Sequence, residues 1–302
     1  MPFKVRQALL TFQLFFKHPA LALTLGKKFK KNQTIVILSF PRSGSSWVGD
    51  IVGQCSRVRY LREPVTTPFM QKKTGRASVF DKDTCENWRE YAMCITKALS
   101  GDLIYSNAIM KYPQQWLSPD EEKSLLVKEV NPLIVEHVVD DVTRLVYLMR
   151  HPFSIAKSYQ ALGWKSSALF ERKFGINELQ KIYTCEPHLV QKSYWYQMGY
   201  LLGWVEAYVK AVIKSATGDI ILYENLCQTP LAQFKILFEH CNLPFEDKIQ
   251  QVILNSLAKK EHTKVGDFTL SRKQQDVSSV FINASNKVNY QELMKSYVNA
   301  YN

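Results

Sequence analysis

The chain has 302 residues, enough for one substantial core or two modest ones. Hydrophobic residues make up 46% and charged residues 22%, a balance that excludes general disorder. Lys and Arg number 39 against 27 Asp and Glu, a formal charge of +12, which favours anionic partners: nucleotides, nucleic acid, acidic glycans or a membrane face.

Residues 5–25 are apolar in blocks, interrupted by Arg6, Lys17 and His18 and broken at Pro19. No run reaches the roughly 18 uncharged residues of a membrane-spanning helix. Phe12, Phe15 and Phe16 with Lys4, Arg6 and Lys17 fit a basic amphipathic helix. The preferred expectation is that this helix packs on the domain, as amphipathic helices commonly cover cores. Peripheral contact with an anionic membrane is the alternative. The KKFKK run at 27–31 reads as a solvated linker. The chain thus divides into an N-terminal helical and basic segment, 1–33, and a single α/β domain, 34–302.

The most informative stretch is 34–47, TIVILSFPRSGSSW. The β-branched run Ile35, Val36, Ile37, ending at Leu38, stops in a loop rich in Pro, Gly and Ser, and a helix is predicted at 45–54. Strand, tight loop and helix start form the layout of a phosphate cradle, where loop amides and the helix dipole converge on an anion. The loop nearly fits the signature G-x-x-x-x-G-K-[ST]. Ser39 stands at the first Gly position, Gly44 and Ser46 fit, and Ser45 replaces the Lys. Arg42 keeps a positive charge inside the loop. Such a site suits a nucleotide-borne anion but not ATP hydrolysis.

Further strands are predicted at 57–61 (RVRYL), 125–130 (LLVKEV), 144–149 (RLVYLM) and 219–223 (DIILY). Helices are predicted at 83–99, with Trp88, Tyr91, Ile95 and Leu99 on one face, and at 133–139, 152–162, 191–215, 230–241 and 245–257. Pro152 sits in a first turn, where its missing N–H costs nothing. Strands separated by helices imply an α/β fold with a parallel sheet. Residues 261–287 are polar and weakly periodic, and read as a long functional loop or lid. The cysteines (Cys55, Cys85, Cys94, Cys185, Cys227, Cys241) are scattered, without zinc spacing. They read mostly as buried small hydrophobes in a reducing compartment, so a cytoplasmic location is expected. A second anion site follows the strand at 144–149, where Arg150 stands at the carboxyl end and Ser158 lies in the next helix. Ligands of open α/β sheets bind at such ends. An Arg can fork two phosphate oxygens while a Ser hydroxyl adds a third bond.

Together these motifs resemble the sulfotransferase superfamily, whose members use 3′-phosphoadenosine 5′-phosphosulfate as sulfuryl donor. The family's 5′-phosphosulfate loop is similar to SFPRSGSSW. Its 3′-phosphate motif, R-x-P-x-x-x-x-x-S, is matched by Arg150, Pro152 and Ser158, and its Y-E-D-L segment resembles LYENL at 222–226, followed by Thr229 and Pro230. Arg42 resembles the carbohydrate and protein-tyrosine members more than the small-molecule cytosolic ones, which favour Lys there. The resemblance implies a P-loop-type three-layer fold with a central parallel sheet flanked by helices. It also implies donor contacts from Pro41, Arg42, Ser43, Gly44, Ser45, Ser46, Trp47, Arg150 and Ser158, with Arg272, beside Lys273, covering the 3′-phosphate. A transferring sulfuryl group carries less charge than a phosphoryl group, so the Mg²⁺ and Lys of a kinase are dispensable and no metal is expected.

The acceptor hydroxyl needs a base. Small-molecule members place a His after a Lys in the strand before the 3′-phosphate motif, and here that place is Val130. Glycan and tyrosine enzymes use a Glu shortly after the second strand, and Glu63 stands there. Glu129 is the competing carboxylate. Lys128 lies near the leaving oxygen or pairs with Glu129. A regular strand puts Lys128 and Glu129 on opposite faces, with Lys128 expected inward. Tyr159, Trp164, Tyr194, Trp195 and Tyr196 are read as core before substrate stacking. The first reading is a sulfotransferase acting on a hydroxyl of a glycan, glycolipid or similar acceptor, with no nucleic acid partner. Two other classes stay open. A P-loop kinase needs a Lys at position 45 and a carboxylate for Mg²⁺, and a non-catalytic nucleotide or polyanion binder needs no Glu63.

Overall fold

A computed structural model describes residues 3–22, 30–66, 88–101, 116, 122–139, 144–165, 176–214, 218–258, 264–265, 268–269 and 286–301. At its centre β1 (Lys30–Ser39) pairs on one side with β3 (Glu122–Glu129) and on the other with β4 (Arg144–Met149). β2 (Val58–Arg62) lies beyond β3 and β5 (Gly218–Leu222) beyond β4, giving an all-parallel order β2-β3-β1-β4-β5. Side chains alternate along each strand, so β1 sends Ile35 and Ile37 to one face and Val36 and Leu38 to the other. Both faces are covered, which is why the strand reads as a continuous apolar run.

The Ile37 face packs on α3 (Ser45–Val52), α10 (Pro230–His240) and α11 (Asp247–Ala258) through Trp47, Ile51, Phe234, Leu237, Ile249 and Ile253. The Val36 face packs on α4 (Trp88–Ser100), α6 (Pro152–Ala161), α8 (Tyr194–Lys214) and α12 (Lys287–Tyr301). α1 (Phe3–Lys17) adds Leu14 to that core. This is the expected three-layer α/β arrangement of the P-loop type. No helix among the described residues is long and apolar enough to cross a membrane.

Several boundaries differ from the sequence reading. β1 begins at Lys30 because Lys30 and Lys31 pair with Glu122 and Lys123, across an irregularity before Thr34. The end of the KKFKK run is therefore strand, and the Lys31 ammonium donates to the Leu99 carbonyl. Tyr223 does not close β5 but opens α9 (Tyr223–Gln228). Pro132 starts a 3₁₀ turn, Pro132–Ile134, ahead of the short α5 (Val135–Val138), in place of one continuous helix. Another such turn, Leu189–Gln191, precedes α8. The short α2 (Pro19–Ala22), α7 (Ile176–Cys185) and the C-terminal α12 were not anticipated. Within 261–287, β6 (Lys264–Val265) and β7 (Phe268–Thr269) form a small antiparallel pair. Cys55, Cys94, Cys227 and Cys241 are buried, whereas Cys185 is exposed, and no disulfide joins the described cysteines. Tyr159 and Trp195 are core, while Trp164 is exposed.

Glycines let α12 lie against α8. A Cβ on Gly199 would stand 2.1 Å from Ser296 Oγ, and one on Gly203 would stand 2.3 Å from the Tyr297 carbonyl oxygen. In the same seam Glu206 is fully buried and accepts a hydrogen bond from the Tyr297 hydroxyl. Burial pushes its carboxyl pKa from 4.5 up to about 7. The folded state therefore holds a proton that the unfolded state has released. The stability Glu206 contributes is full below pH 4.5 and is lost as pH rises through about 7. Glu206→Gln is expected to remove that slope, which amounts to at most about 3 kcal/mol. Urea midpoints measured at mildly acidic and mildly alkaline pH check this: the wild type drops between them and the variant does not.

Candidate active site

β1 delivers the chain to the carboxyl edge of the sheet, and the loop 40–44 turns it into α3. The turn uses two left-handed residues, Arg42 at φ 72° and Gly44 at φ 89°. The glycine is needed for space as well as for conformation, because a Cβ there would lie 2.1 Å from the Tyr223 ring. The Trp47 amide makes the first helical bond, to the Gly44 carbonyl at 3.0 Å, so the Ser45 and Ser46 amides precede the intrahelical ladder. The Ser43 hydroxyl is buried and has no hydrogen-bond partner among the described residues. Trp47, expected among the donor contacts, is buried: its Nε1 donates to Ser256 Oγ at 2.9 Å and its ring meets Phe234 edge-on. Its side chain anchors α3 to α10 and α11.

The two anion motifs recognised separately in the sequence meet in one hydrogen-bonded unit. β1 and β4 are neighbours, with Ser39 opposite Leu148, so their carboxyl ends lie side by side. Arg42 Nε donates to Ser158 Oγ at 2.8 Å, and Arg150 Nη1 donates to the Arg42 carbonyl at 2.7 Å. The segment 222–226 braces this unit. The Arg150 guanidinium lies 4.9 Å from the Tyr223 ring centroid, and Glu224 accepts the His151 amide at 3.0 Å. His151 Nδ1 in turn accepts from the Phe153 amide at 3.2 Å and caps α6, with Pro152 following. Burial lowers the His151 pKa, which favours the neutral ring that this acceptor role requires.

On the other side of β1, Arg62 and Ile37 both stand opposite Lys128. The Lys128 side chain is fully buried, and its ammonium pairs with Glu63. Glu63 is the third left-handed position that matters, at φ 50°, and its amide donates to the Lys128 carbonyl at 2.7 Å. Glu129 points to the opposite face, where it accepts the amides of Val65 at 2.5 Å, Thr66 at 3.1 Å and Val130 at 3.3 Å. Burial pushes its carboxyl pKa up. Glu129 thus holds down the loop that carries Glu63.

Arg62 was missed in the sequence. Its Nη2 donates to Ser46 Oγ at 3.0 Å and its Nη1 lies 3.6 Å from Asp50 Oδ2, so it ties the end of β2 to α3. The signal was its place immediately before Glu63, at a strand's carboxyl end. Tyr223 and Glu224 were recognised as motif residues, but not as the brace beneath Arg150 and His151. Arg272 and Lys273 lie outside the described residues. Among the described residues no cluster of His, Cys, Asp and Glu has the makings of a metal site.

The family model of the sulfotransferase domain matches residues 32–296. The chain belongs to the sulfotransferase family. It is accordingly a sulfotransferase, an enzyme of a family that uses 3′-phosphoadenosine 5′-phosphosulfate. Among solved structures, the sulfotransferase domain of the curacin biosynthetic pathway is 16% identical, covering 86% of this chain and 96% of that one at a TM-score of 0.46. The sulfotransferase domain of the Synechococcus PCC 7002 olefin synthase is 15% identical, covering 91% and 96% at a TM-score of 0.41. Mouse sulfotransferase SULT7A1, solved in complex with PAP, is 11% identical, covering 92% and 89% at a TM-score of 0.39. No curated protein matches the chain. In this sulfotransferase the loop amides, the Ser43 hydroxyl and the guanidinium groups of Arg42 and Arg150 form a set dominated by hydrogen-bond donors and positive charge. That chemistry fits a ligand with more than one anionic group.

Proposed function

We propose that this sulfotransferase moves the sulfuryl group of 3′-phosphoadenosine 5′-phosphosulfate to a hydroxyl of a glycan, glycolipid or similar acceptor, without a metal ion. The observation that carries the reading is the bonded chain Ser158–Arg42–Arg150, which joins the two donor motifs into one unit. In this reading residues 41–46 receive the 5′-phosphosulfate, while Arg150 and Ser158 receive the 3′-phosphate, with Arg272 as a further contact. The donor supplies an activated sulfur and a stable leaving group. Glu63 takes the proton of the attacking hydroxyl, and Lys128, released from its pairing with Glu63, offers positive charge to the leaving oxygen. Three features support a glycan-type acceptor: the Glu at position 63, Val130 where small-molecule enzymes carry His, and Arg42 in the loop.

Calorimetry tests the donor. Adenosine 3′,5′-bisphosphate is expected to bind tightly without Mg²⁺, and ATP weakly. A preference for ATP with a requirement for Mg²⁺ would overturn the reading. Transfer of labelled sulfate to a panel of glycans, glycolipids and small phenols then sorts the acceptor class.

A further inference from the structure

α1 has two apolar sides. Leu10 and Leu14 are buried, with Leu14 reaching the core of the domain. On the other side Val5, Leu9, Phe12 and Phe16 are exposed, the two phenylalanines by 68% and 82%. At roughly 100° per residue these four positions fall within about 60° of one another, opposite Leu10 and Leu14. The rings of Phe12 and Phe16 stack with centroids 6.4 Å apart. A helix that only covers a core turns a polar face outward. This one turns out a continuous apolar stripe, which marks a contact surface.

The charge of the sequence on either side of the stripe points to what covers it. Five Lys and Arg residues precede β1 in the sequence (Lys4, Arg6, Lys17, Lys27 and Lys28), and the first acidic residue of the chain is Asp50. A second copy of the chain would bring the same excess of positive charge against itself. A surface of anionic lipid headgroups above acyl chains satisfies both the cations and the aromatic rings. We propose that α1 is a two-sided helix that docks the domain on anionic membrane: Leu10 and Leu14 hold it to the protein, and the stripe Val5, Leu9, Phe12, Phe16 enters the lipid interface. Packing on the domain and lying on a membrane are then not alternatives, because different faces of one helix do each. The inference stands apart from the donor and acceptor assignments, since lipid binding is read without any sulfuryl transfer.

The test is flotation of the full chain with phosphatidylcholine vesicles prepared with and without phosphatidylglycerol. The wild type is expected to float only with the anionic vesicles, and to be released as NaCl rises from about 0.1 M to about 0.5 M. Phe12→Ser with Phe16→Ser changes two exposed side chains, so the melting temperature should hold while partition falls on the order of a hundredfold. Lys27→Gln with Lys28→Gln leaves the helix untouched and should weaken partition by roughly an order of magnitude. Failure of the wild type to float, equal binding to neutral vesicles, or unchanged flotation of both double variants would each overturn the proposal. A dimer in solution that the Phe12 and Phe16 changes dissolve, without vesicle binding, would overturn it in favour of self-association.

Discussion

Glu63→Gln is expected to lower turnover by about 10²–10⁴-fold and to leave affinity for adenosine 3′,5′-bisphosphate near that of the wild type. The substitution keeps the side chain's shape and an oxygen for Lys128, and leaves the left-handed backbone at φ 50° with a residue of the same size. What it removes is the ability to take a proton. Glu129, the competing carboxylate, is a different case. It is fully buried on the opposite face of β3, and its oxygens already accept the amides of Val65, Thr66 and Val130. Glu129→Gln sets an NH₂ donor against amide donors, so its first effect is on stability: a buried donor left without an acceptor costs about 1–3 kcal/mol. Both variants are expected to melt below the wild type, because Glu63→Gln takes the counter-charge from the buried Lys128 ammonium; the turnover of the folded protein separates them, falling for Glu63→Gln and holding for Glu129→Gln. A fully active Glu63→Gln beside a folded but dead Glu129→Gln would show that the base is the other carboxylate.

Much of the sheet was legible because its central strands β1, β3 and β4 are buried on both faces and therefore stand out as apolar runs. The loop at 40–44 was legible for the same reason that it is special: only a turn needing left-handed residues and close approach interrupts such a run with Pro, Gly and Ser. Spatial partnerships were not legible. That Arg62 reaches Ser46 depends on β2 lying in register with Lys128, a parallel pairing that no local pattern announces. That Lys30 and Lys31 are strand depends on Glu122 and Lys123 far along the chain. α12 carries Tyr290, Leu293, Met294 and Tyr297 at helical spacing, a signal that could have been read. Its seat on α8 rests on Gly199 and Gly203, whose meaning appears only when the two helices meet. The motif around Arg42 announced a cation for an anion. It did not announce that the left-handed backbone accompanies a guanidinium turned to Ser158.

That orientation decides how Arg42→Ala is expected to behave. A positioned donor beside developing charge is worth roughly 2.7–4 kcal/mol, so kcat/KM should fall by about 10²–10³-fold. Because Arg42 Nε is bonded to Ser158 Oγ, part of that loss should appear as weaker donor binding, with slower transfer accounting for the rest. Arg150→Ala differs. It removes the group that holds the Arg42 carbonyl and lies over Tyr223, so donor affinity should carry most of the loss. Since the two residues touch, their effects should not add: the double variant is expected to lose clearly less than the product of the single losses. Arg42→Lys, which keeps the charge but lacks the planar fork, should recover transfer better than it recovers donor affinity. Steady-state kinetics varied in donor, together with calorimetry on adenosine 3′,5′-bisphosphate, measure both halves of the split. If Arg42→Ala and Arg150→Ala both bound the donor and turned over like the wild type, the donor would have to lie elsewhere. The bonded chain from Ser158 through Arg42 to Arg150 would then serve only to fasten the loop to α6.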